Sequence, residues 1–349
     1  MFAGTCAFLT LARYKRCYTC RMYKPRIGVL RGGPSSEYEV SLKTGRTVLQ
    51  HLPTEQYVPV DIFIARDGEW HMRGMPIEPE RALTQCDAVF NALHGKYGED
   101  GVLQRYMDMH RVRYTGSDTL ASGLAMNKLL AKRHLRERAS SGVPGSRLRF
   151  PAELVLREGE CSEYEIREVF LKLSPPLVVK PVNGGSSVGT AIVRSPDELF
   201  YAVLFAFEES DAVLVEQFVR GREVTVAVVE GFRGEELYAA PPVEIRPTKS
   251  EWFDYDEKYK GHAREVCPAP LESEHTQALL DAARHVHREL GLRDYSRSDF
   301  ILARDGIYFL EVNTLPGLTE HSLLPKALDT VGAKLPHFLS HVTDRALAR

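Results

Sequence analysis

The sequence predicts an α/β protein of two or three domains, and three observations support that class. Its 349 residues exceed what one hydrophobic core usually serves. From residue 26 onward, short apolar segments typical of strands alternate with segments of helical pattern, as in an open α/β sheet. Glycine-rich loops follow several of the strand-like segments, and open α/β sheets bind their ligands at such positions. The pattern therefore favours a ligand-binding protein or an enzyme.

The composition narrows the range of partners. Hydrophobic residues make up 44% of the chain and charged residues 26%, which is ordinary for a soluble enzyme. The net charge of −2 gives no reason to expect binding to nucleic acid or to an anionic membrane. No apolar stretch approaches the roughly 20 residues that span a bilayer. We therefore expect neither nucleic acid nor a membrane as a partner.

Residues 1–24 differ from the rest of the chain. They hold three of the six cysteines and are basic after Leu11. Their apolar part is short and no convincing cleavage site follows it, so we expect an extension outside the fold. Cys17 and Cys20 form a CxxC pair without a second pair at zinc-site spacing, which leaves a metal or redox role as the less favoured alternative. The remaining cysteines are Cys86, Cys161 and Cys267. Their scatter through apparent core and loops fits a reducing cytoplasm.

The first α/β unit contains a candidate ligand loop. Residues 26–30 form a short apolar strand, residues 31–36 contain a Gly-Gly-Pro turn, and a helical pattern runs from Glu37 to about His51. A strand, a glycine turn and a helix N-terminus make a natural site for an anion or a small polar ligand. The loop is neither a GxGxxG fingerprint nor a P-loop, because no GK[ST] follows.

A second glycine-rich loop occupies residues 94–101. It follows the strand-like residues 87–93, which continue the alternation after the strand-like residues 58–65. Its position at the C-terminal end of a strand makes His94 and Glu99 candidates for ligand binding. An ordinary structural loop is an equal alternative for these two residues.

A third loop has the features of a phosphate site. Residues 177–180 form an apolar strand that ends on Lys180, residues 181–189 are rich in glycine and serine, and residues 190–193 are again strand-like. Flexible backbone between two strands can fold over a phosphate chain and offer N–H groups to it. Lys180 would neutralise phosphate charge beside that loop.

Two later strands carry acids that could meet a nucleoside. Residues 212–219 and 224–229 are strand-like, with a turn between them. The end of the first strand could present backbone groups and Glu216 to an adenine edge, and Glu223 could meet ribose hydroxyls. Taken singly, such acids are more often surface residues, so that alternative stays open.

The most informative segment lies near the C-terminus. The Asp305-Gly306 dipeptide is a strong hairpin signal between two strand-like segments. Alternate residues of a strand share a face, so Glu311 and Asn313 point the same way and Asp299 can face them across the hairpin. Oxygen ligands of this kind suit Mg²⁺. A solvent-exposed acidic face is the alternative, but the surrounding apolar residues favour burial, and buried acids need partners.

Taken together, these segments resemble the ATP-grasp enzymes, and specifically the D-alanine–D-alanine ligase family. The resemblance covers about residues 26–340. Its most specific segments are GGPSSEYEVSL (32–42), HGKYGEDGVLQ (94–104), YTGS with LAMNK (114–128), VVKPVNGGSSVG (178–189), FDYDEKY (253–259) and EVNTLPGLTEHSLLP (311–325). Asn127 departs from the family pattern, which usually has Asp before the lysine, but Lys128 remains and should still contact phosphate. Gly184-Gly185 stands where Glu-Gly is common, which could alter the flexibility of the loop.

The resemblance implies an ATP-grasp fold, with an N-terminal open α/β sheet and a nucleotide held between the central and C-terminal domains. The implied ranges are 1–24 for the extension, 25–117 for the N-terminal substrate domain, 118–215 for the central domain, 216–345 for the C-terminal catalytic domain and about 244–267 for a lid. An ordinary surface excursion is the alternative for the lid. The resemblance also implies a homodimer.

The resemblance assigns binding roles to residues at matching positions. The residues that would contact ATP are Lys128, Lys180, Ser187, Glu216, Gln217, Val219, Glu223 and Lys258. The residues that would bind two Mg²⁺ or Mn²⁺ ions are Asp299, Glu311 and Asn313, with Glu311 bridging. The residues that would bind D-alanine are Glu37 and His94 for the first molecule, and Ser322 and Leu323 for the carboxylate of the second.

Catalytic roles follow from the same resemblance. Arg297 and the N–H group of Gly317 would stabilise an oxyanion. Ser186 and Tyr259 would hydrogen-bond with Glu37 and latch a loop that runs through Lys258.

The implied reaction is ATP-dependent joining of two D-alanines through a D-alanyl phosphate, in the cytoplasm, for peptidoglycan precursors. One alternative is another ATP-grasp ligase that makes D-alanyl-D-lactate or a different dipeptide. Lys258 and Tyr259 favour the dipeptide, because the ester-forming relatives differ there. The other alternative is a nucleotide-binding protein without catalysis, against which Arg297 argues, since a binder needs no oxyanion arginine.

Overall fold

The computed structural model describes residues 23–140, 148–185, 188–246 and 264–349. Within these ranges the strands form three sheets, and helices cover the sheet faces. The α/β class predicted from the sequence is confirmed. No helix in these ranges has both the length and the apolarity that a bilayer span requires.

The first sheet is mixed, with the strand order β4-β3-β2-β1-β5, in which β2, β1 and β5 are parallel and the β2–β3 and β3–β4 pairs are antiparallel. Its strands are β1 (Arg26–Gly32), β2 (Val58–Ile64), β3 (Trp70–Met72), β4 (Met75–Pro76) and β5 (Ala88–Asn91). Its helices are α1 (Tyr38–His51), α2 (Pro79–Leu83) and α3 (Val102–Met109). Parallel strands β1 and β5 end side by side, so the loops that follow them, at 33–37 and 92–101, meet at one edge of the sheet.

The second sheet is antiparallel, with the order β7-β10-β8-β9. Its strands are β7 (Glu153–Arg157), β8 (Leu177–Pro181), β9 (Ala191–Val193) and β10 (Ala212–Gln217). Helices α4 (Thr119–Met126) and α5 (Lys128–Ser140) precede it, and α6 (Glu163–Lys172) and α7 (Pro196–Phe207) lie on one face. The period of two along a strand puts Val179 and Val215 in the core beneath α6 and α7, so Lys180 and Glu216 take the opposite face.

The third sheet has the order β14-β13-β11-β15-β16-β6, with β12 also paired to β11. Its strands are β6 (Leu148–Arg149), β11 (Arg222–Glu230), β12 (Leu237–Ala239), β13 (Val243–Arg246), β14 (Arg264–Val266), β15 (Tyr295–Ala303) and β16 (Gly306–Asn313). The later helices are α8 (Ser273–Glu289), α9 (Leu323–Thr330) and α10 (Leu335–Leu347). One face of this sheet packs on α8. The other face shares a core with the first sheet and α10, which joins the two ends of the chain.

The predicted C-terminal hairpin is present as β15 and β16. Ala303 pairs with Gly306, so the two-residue turn is formed by 304–305 and lies one position before the predicted Asp-Gly dipeptide. The pairing shifts by one residue between Asp299 and Phe300, which marks a β-bulge. Bulges commonly re-aim side chains next to functional sites.

Asp294 joins segments that are distant in the sequence. Its carboxylate is fully buried and accepts a hydrogen bond from the N–H of Gly116 at 2.8 Å. It also accepts hydrogen bonds from Arg345 at 3.1 Å and from Arg349 at 2.7 and 2.9 Å. The C-terminal end of the chain is thereby tied to the segment after the first sheet.

Two residues of the predicted extension contact the first sheet and its flanking loops. Tyr23 donates a hydrogen bond to Asp87, and Lys24 donates one to the carbonyl of Thr54 at 2.8 Å. Tyr23 and Lys24, which the prediction placed in the extension, therefore contact the fold. Cys17 and Cys20 lie outside the described residues, and Cys86, Cys161 and Cys267 are free thiols.

We expect Asp294→Asn to lower the free energy of unfolding by about 3 kcal/mol, because it removes the buried anion that pairs with Arg345 and Arg349. Arg345 keeps its pair with Glu230, whereas Arg349 loses the carboxylate that it contacts. Asparagine tolerates the left-handed backbone of this position, where φ is 63°, so the change isolates the charge. Urea unfolding would measure the loss. Asp329→Asn is the control, since the exposed Asp329–Lys334 pair should contribute less than about 1 kcal/mol. Equal losses in the two variants would contradict the assignment.

Candidate active site

A cleft lies between the second and third sheets. The second sheet contributes Lys180 and Glu216 to its lining, the third sheet contributes Asp299 and Glu311, and α5 contributes Lys128. Gln217, Val219 and Glu223 also line the cleft. The cleft therefore brings together the described residues that the sequence assigned to ATP.

Lys128 is nearly buried at the start of α5. Its ammonium group donates to the carbonyl of Gly184 at 2.6 Å and lies 3.3 Å from a carboxylate oxygen of Glu311. The position of Lys128 depends on Asn127, whose side-chain oxygen accepts from the N–H of Leu130 at 2.9 Å and caps α5. Asn and Asp are equally good at this position of a helix, so the departure from the family pattern preserves the cap.

Lys180 and Glu216 form an ion pair on the cleft face of the second sheet. The ammonium nitrogen lies 2.8 Å from Oε2 of Glu216. Burial lowers the pKa of Lys180 to about 8, Glu311 opposes that shift, and Lys128 adds to it. A second lysine, Lys132, also contacts Glu216 from α5 and was not identified from the sequence.

Asp299 and Glu311 face each other across the hairpin, as the strand alternation predicted. They are directly paired in the β15–β16 register, and Arg297 pairs with Asn313 two residues away. Asp299 accepts a two-pronged interaction from Arg297 at 2.9 and 2.8 Å, and its Oδ1 accepts from the hydroxyl of Thr225 at 2.5 Å. The cluster is therefore a charge-balanced, partly buried group rather than an exposed acidic face.

The donor set fits a hard divalent cation. It consists of two carboxylates and the amide of Asn313, and the amide lies close enough for its nitrogen to contact Asp299 at 3.3 Å. Over the described ranges there is no group of three or more His, Cys, Asp or Glu side chains with metal-binding geometry. Oxygen donors supplemented by substrate phosphates are the usual ligands of Mg²⁺, which rarely has an all-protein site.

A second cavity lies between the first sheet and the loop after β16. It is lined by Glu37, His94, Arg297, Asn313, Gly317, Ser322 and Leu323 among others. A smaller pocket between this cavity and the cleft shares Glu99 and Asn313 with the cavity and Lys128, Gly184 and Glu311 with the cleft. The structure thus brings the predicted substrate residues together beside the predicted phosphate residues.

Glu37 stands where three segments meet. A methyl group added to Gly95 would lie 2.6 Å from its Oε2 atom, and one added to Gly185 would lie 2.7 Å away. The backbone also favours glycine at Gly95, where φ is 71°, whereas a side chain at Gly185 would require the end of the Glu37 side chain to move. His94 is buried beside it, with Nε2 2.8 Å from the hydroxyl of Thr44 and its carbonyl accepting from Ser35. The loop after β1, the loop after β5 and the glycine-rich loop of the second sheet all contact this carboxylate or its neighbours.

Ser322 and Leu323 lie at the N-terminus of α9. The Ser322 hydroxyl accepts from the N–H of Thr319 at 3.1 Å, and a methyl group on Gly317 would lie 2.9 Å from it. Leu323 is almost fully buried in the core under the cavity. A helix N-terminus with a serine hydroxyl beside it is suited to a carboxylate.

Glu99 is a site residue that the sequence could not separate from an ordinary loop acid. It is buried, and its two oxygens accept from the N–H groups of Gly95 at 2.8 Å and Leu315 at 3.0 Å. It therefore links the loop that carries His94 to the loop that carries Gly317. Burial raises the pKa of Glu99, and the charge of Glu37 raises it further.

Four predicted site residues, Ser186, Ser187, Lys258 and Tyr259, lie outside the described residues, as does most of the predicted lid. The latch among Ser186, Tyr259 and Glu37 therefore stays a prediction.

Replacing Glu99 with Gln should change how stability depends on pH. The folded protein raises the pKa of Glu99 above that of the unfolded chain, so the stabilising contribution of this carboxyl is complete below about pH 4.5 and is lost as pH rises through the raised pKa. The free energy of unfolding of the wild type minus that of Glu99→Gln should therefore fall between pH 5 and pH 8, by at most about 1.4 kcal/mol per unit. Urea unfolding across that range measures the difference.

The exposed acid Glu160 gives the control for this experiment, because Glu160→Gln should give a flat difference over the same range. A flat difference for Glu99→Gln as well would contradict the raised pKa of Glu99.

Two family models match the chain. The model described as D-ala D-ala ligase C-terminus covers residues 150–344, and the model described as D-ala D-ala ligase N-terminus covers residues 26–78 and 73–117. A curated D-alanine–D-alanine ligase from Geobacter sulfurreducens is 40% identical over 309 residues, which are 86% of this chain and 87% of that protein.

Solved structures of D-alanine ligases also align with this chain. The VanG D-Ala:D-Ser ligase from Enterococcus faecalis aligns with a TM-score of 0.78 at 30% identity, covering 93% of this chain and 100% of that one. The D-alanine–D-alanine ligase from Bacillus anthracis complexed with ATP aligns with a TM-score of 0.75 at 30% identity, covering 93% of this chain and 98% of that one.

Proposed function

Because this chain belongs to the D-alanine–D-alanine ligase family and has the ATP-grasp fold of its structural relatives, we propose that it uses ATP to join two D-alanine molecules into D-alanyl-D-alanine. The dipeptide is a building block of cell-wall peptidoglycan. The observation that carries the proposal is the small pocket whose lining residues are shared with both cavities. It contains Lys128 and Glu311, which suit phosphates and their cations, and lies next to the cavity of Glu37 and Arg297.

The cleft is the proposed ATP site. Glu216 and the backbone of Gln217 and Val219 would hold adenine, and Glu223 would hold the ribose. Lys128 and Lys180 would neutralise the phosphates, with Ser187 and Lys258 as further predicted contacts. The cleft geometry supports the described part of this assignment, because the six described residues line the same cleft as the two acids of the hairpin.

Asp299, Glu311 and Asn313 are the proposed ligands of two Mg²⁺ or Mn²⁺ ions. When bound, such ions supply charge neutralisation at the phosphate oxygens. The protein's part is to hold the three oxygen donors on one face of the hairpin, which the Asp299–Glu311 pairing achieves.

The first chemical step makes the carboxyl group of D-alanine reactive. A carboxylate oxygen of the first D-alanine attacks the γ-phosphorus of ATP, the bond to the β-phosphate oxygen breaks, and ADP leaves. Glu37 would hold the ammonium group of this D-alanine near His94. Lys128 and Lys180 would balance the charge that moves toward the leaving ADP, since phosphoryl transfer depends on positioning and electrostatics.

The second step forms the peptide bond. The neutral amine of the second D-alanine attacks the carbonyl carbon of the acyl phosphate and gives a tetrahedral oxyanion. The carbon–oxygen bond to phosphate then breaks, the nitrogen gives up a proton, and phosphate leaves as hydrogen phosphate. Arg297 and the N–H of Gly317 would stabilise the oxyanion, an effect commonly worth several kcal/mol. Ser322 and Leu323, at the start of α9, would receive the carboxylate of the second D-alanine. A lid over residues 244–267, latched through Ser186 and Tyr259, would exclude water from the acyl phosphate.

The likeness to the family adds a domain division, an assembly and a cellular location to the proposal. The predicted domain division is 25–117, 118–215 and 216–345. The assembly is a homodimer, and the protein acts in the cytoplasm. Analytical ultracentrifugation tests the assembly directly.

D-serine as the second substrate is the alternative, because a D-Ala:D-Ser ligase is among the solved structures that align well with this chain. Phosphate release separates the possibilities when ATP and Mg²⁺ are combined with D-alanine alone, with D-alanine plus D-serine, with D-alanine plus D-lactate, or with L-alanine. Mass spectrometry then identifies the product. We expect D-alanine alone to be sufficient and L-alanine to give no product.

Arg297→Ala serves as the matched variant for that assay, and it should release phosphate at least about 100-fold more slowly. An equal rate in the variant would assign the signal to a contaminant. Absence of D-alanyl-D-alanine from the wild type would contradict the proposed function, and a mixed product with D-serine in preference to D-alanine would favour the alternative.

A further inference from the structure

Lys132 is a buried cation that the proposed mechanism does not use. Its side chain has no exposed surface, and its ammonium group contacts Oε1 of Glu216 and lies 3.5 Å from Oε2 of Glu153. Lysine is almost never fully buried without a paired anion. Lys132 meets this requirement with Glu216 and Glu153, directly behind an acid that lines the cleft.

The strand register explains why a cation is needed there. Strands β7 and β10 are antiparallel, and Glu153 is directly opposite Glu216. Like charges in directly opposite positions destabilise a sheet. Arg136 contacts Glu153 on one side, Lys180 contacts Glu216 on the other, and Lys132 lies between the two carboxylates. The five groups form a row in which positive and negative charges alternate.

The charge of Lys132 depends on these carboxylates. Burial lowers the pKa of Lys132 to about 7, the charge of Lys180 adds to that effect, and Glu153 opposes it. The ionised forms of Lys132, Glu153 and Glu216 therefore stabilise one another.

The protonation state of Glu216 determines what it can recognise. An ionised carboxylate only accepts hydrogen bonds, whereas a protonated carboxyl also donates one. Each oxygen of Glu216 accepts from one lysine and can accept a second donor. Glu216 also lines the cleft, where it is the buried acid of the face assigned to the base. Its ionised form suits a purine with an amino group at C6 and opposes a carbonyl oxygen at C6.

We propose that Lys132 is a positioning residue that holds Glu216 as an ionised acceptor and thereby selects a 6-amino purine nucleotide over a 6-oxo purine nucleotide. The inference rests on the proposed function, since it takes the cleft as the nucleotide site. Lys132 acts through Glu216 and touches no substrate.

The test compares ADP with IDP, which differ in the groups at C6 and N1. Calorimetry on the full chain without D-alanine gives the ratio of the two dissociation constants. The wild type should prefer ADP. In Lys132→Met, the two facing carboxylates lose the cation between them, which disfavours having both of them ionised. A protonated Glu216 could then donate to the C6 carbonyl. The preference for ADP should fall by about 10- to 100-fold, as expected when a hydrogen bond to a charged group is lost.

Two further variants keep the experiment decisive. Lys132→Gln retains a donor without the charge, so it should fold even if the methionine variant does not, and its preference for ADP should also fall. Arg136→Met removes a cation from the far side of Glu153 and should leave the preference unchanged.

Several results would overturn the inference. The wild type could bind ADP and IDP equally well, or Lys132→Met could weaken the binding of both nucleotides by the same factor. Lys132→Gln could also keep the wild-type ratio of the two dissociation constants. Phosphate release with D-alanine is measured separately on the wild type. Failure there removes the proposed function, whereas a normal rate with an unchanged nucleotide ratio removes only the role of Lys132.

Discussion

The site depends on the pairing of opposite charges that two sheets and a helix bring into one partly buried cleft. Lys128 pairs with Glu311, Lys180 with Glu216, and Arg297 with Asp299. Charges in such surroundings are costly unless they are paired, so each residue constrains the position of another. The Lys128–Glu311 pair joins the start of α5 to the third sheet and so fixes the helix relative to the hairpin. Phosphates carry the same negative charge as these carboxylates, and divalent cations carry the same positive charge as the lysines and the arginine. When nucleotide and cations bind, they can therefore replace these side chains as partners in the ion pairs.

In the substrate cavity, glycines and backbone N–H groups position the acids, whereas in the cleft the acids are positioned by ion pairs. Gly95 and Gly185 leave room for the Glu37 carboxylate, and the backbone N–H groups of Gly95 and Leu315 bind Glu99. These contacts hold loops from different parts of the chain against one another. A reaction with an acyl phosphate needs that arrangement, because the two amino acids and the phosphate chain must meet without water.

The sequence predicted the features of the site that depend on local patterns. The hairpin follows from two apolar segments around a turn, and the facing of Asp299 and Glu311 follows from the alternation along strands. Contacts between distant residues gave no local signal. The interaction of Arg297 with Asp299 joins alternate residues of β15, but the hydroxyl of Thr225 comes from a neighbouring strand, and Lys132 reaches Glu216 and Glu153 from a helix. Glu99 is recognisable as a site residue only after the loop of Leu315 is placed beside it. The turn of the hairpin was predicted one residue late, because Ala303 and Gly306 form the closing pair.

The central claim is that the hairpin acids hold two divalent cations at the phosphates of ATP. Electron paramagnetic resonance can count bound Mn²⁺ on the full chain in the presence of a non-hydrolysable ATP analogue. The account predicts two Mn²⁺ ions per chain in the wild type, fewer in Glu311→Gln, and two in Glu320→Gln, whose exposed acid lies at the rim of the substrate cavity. Two ions bound with unchanged affinity in Glu311→Gln would contradict the claim.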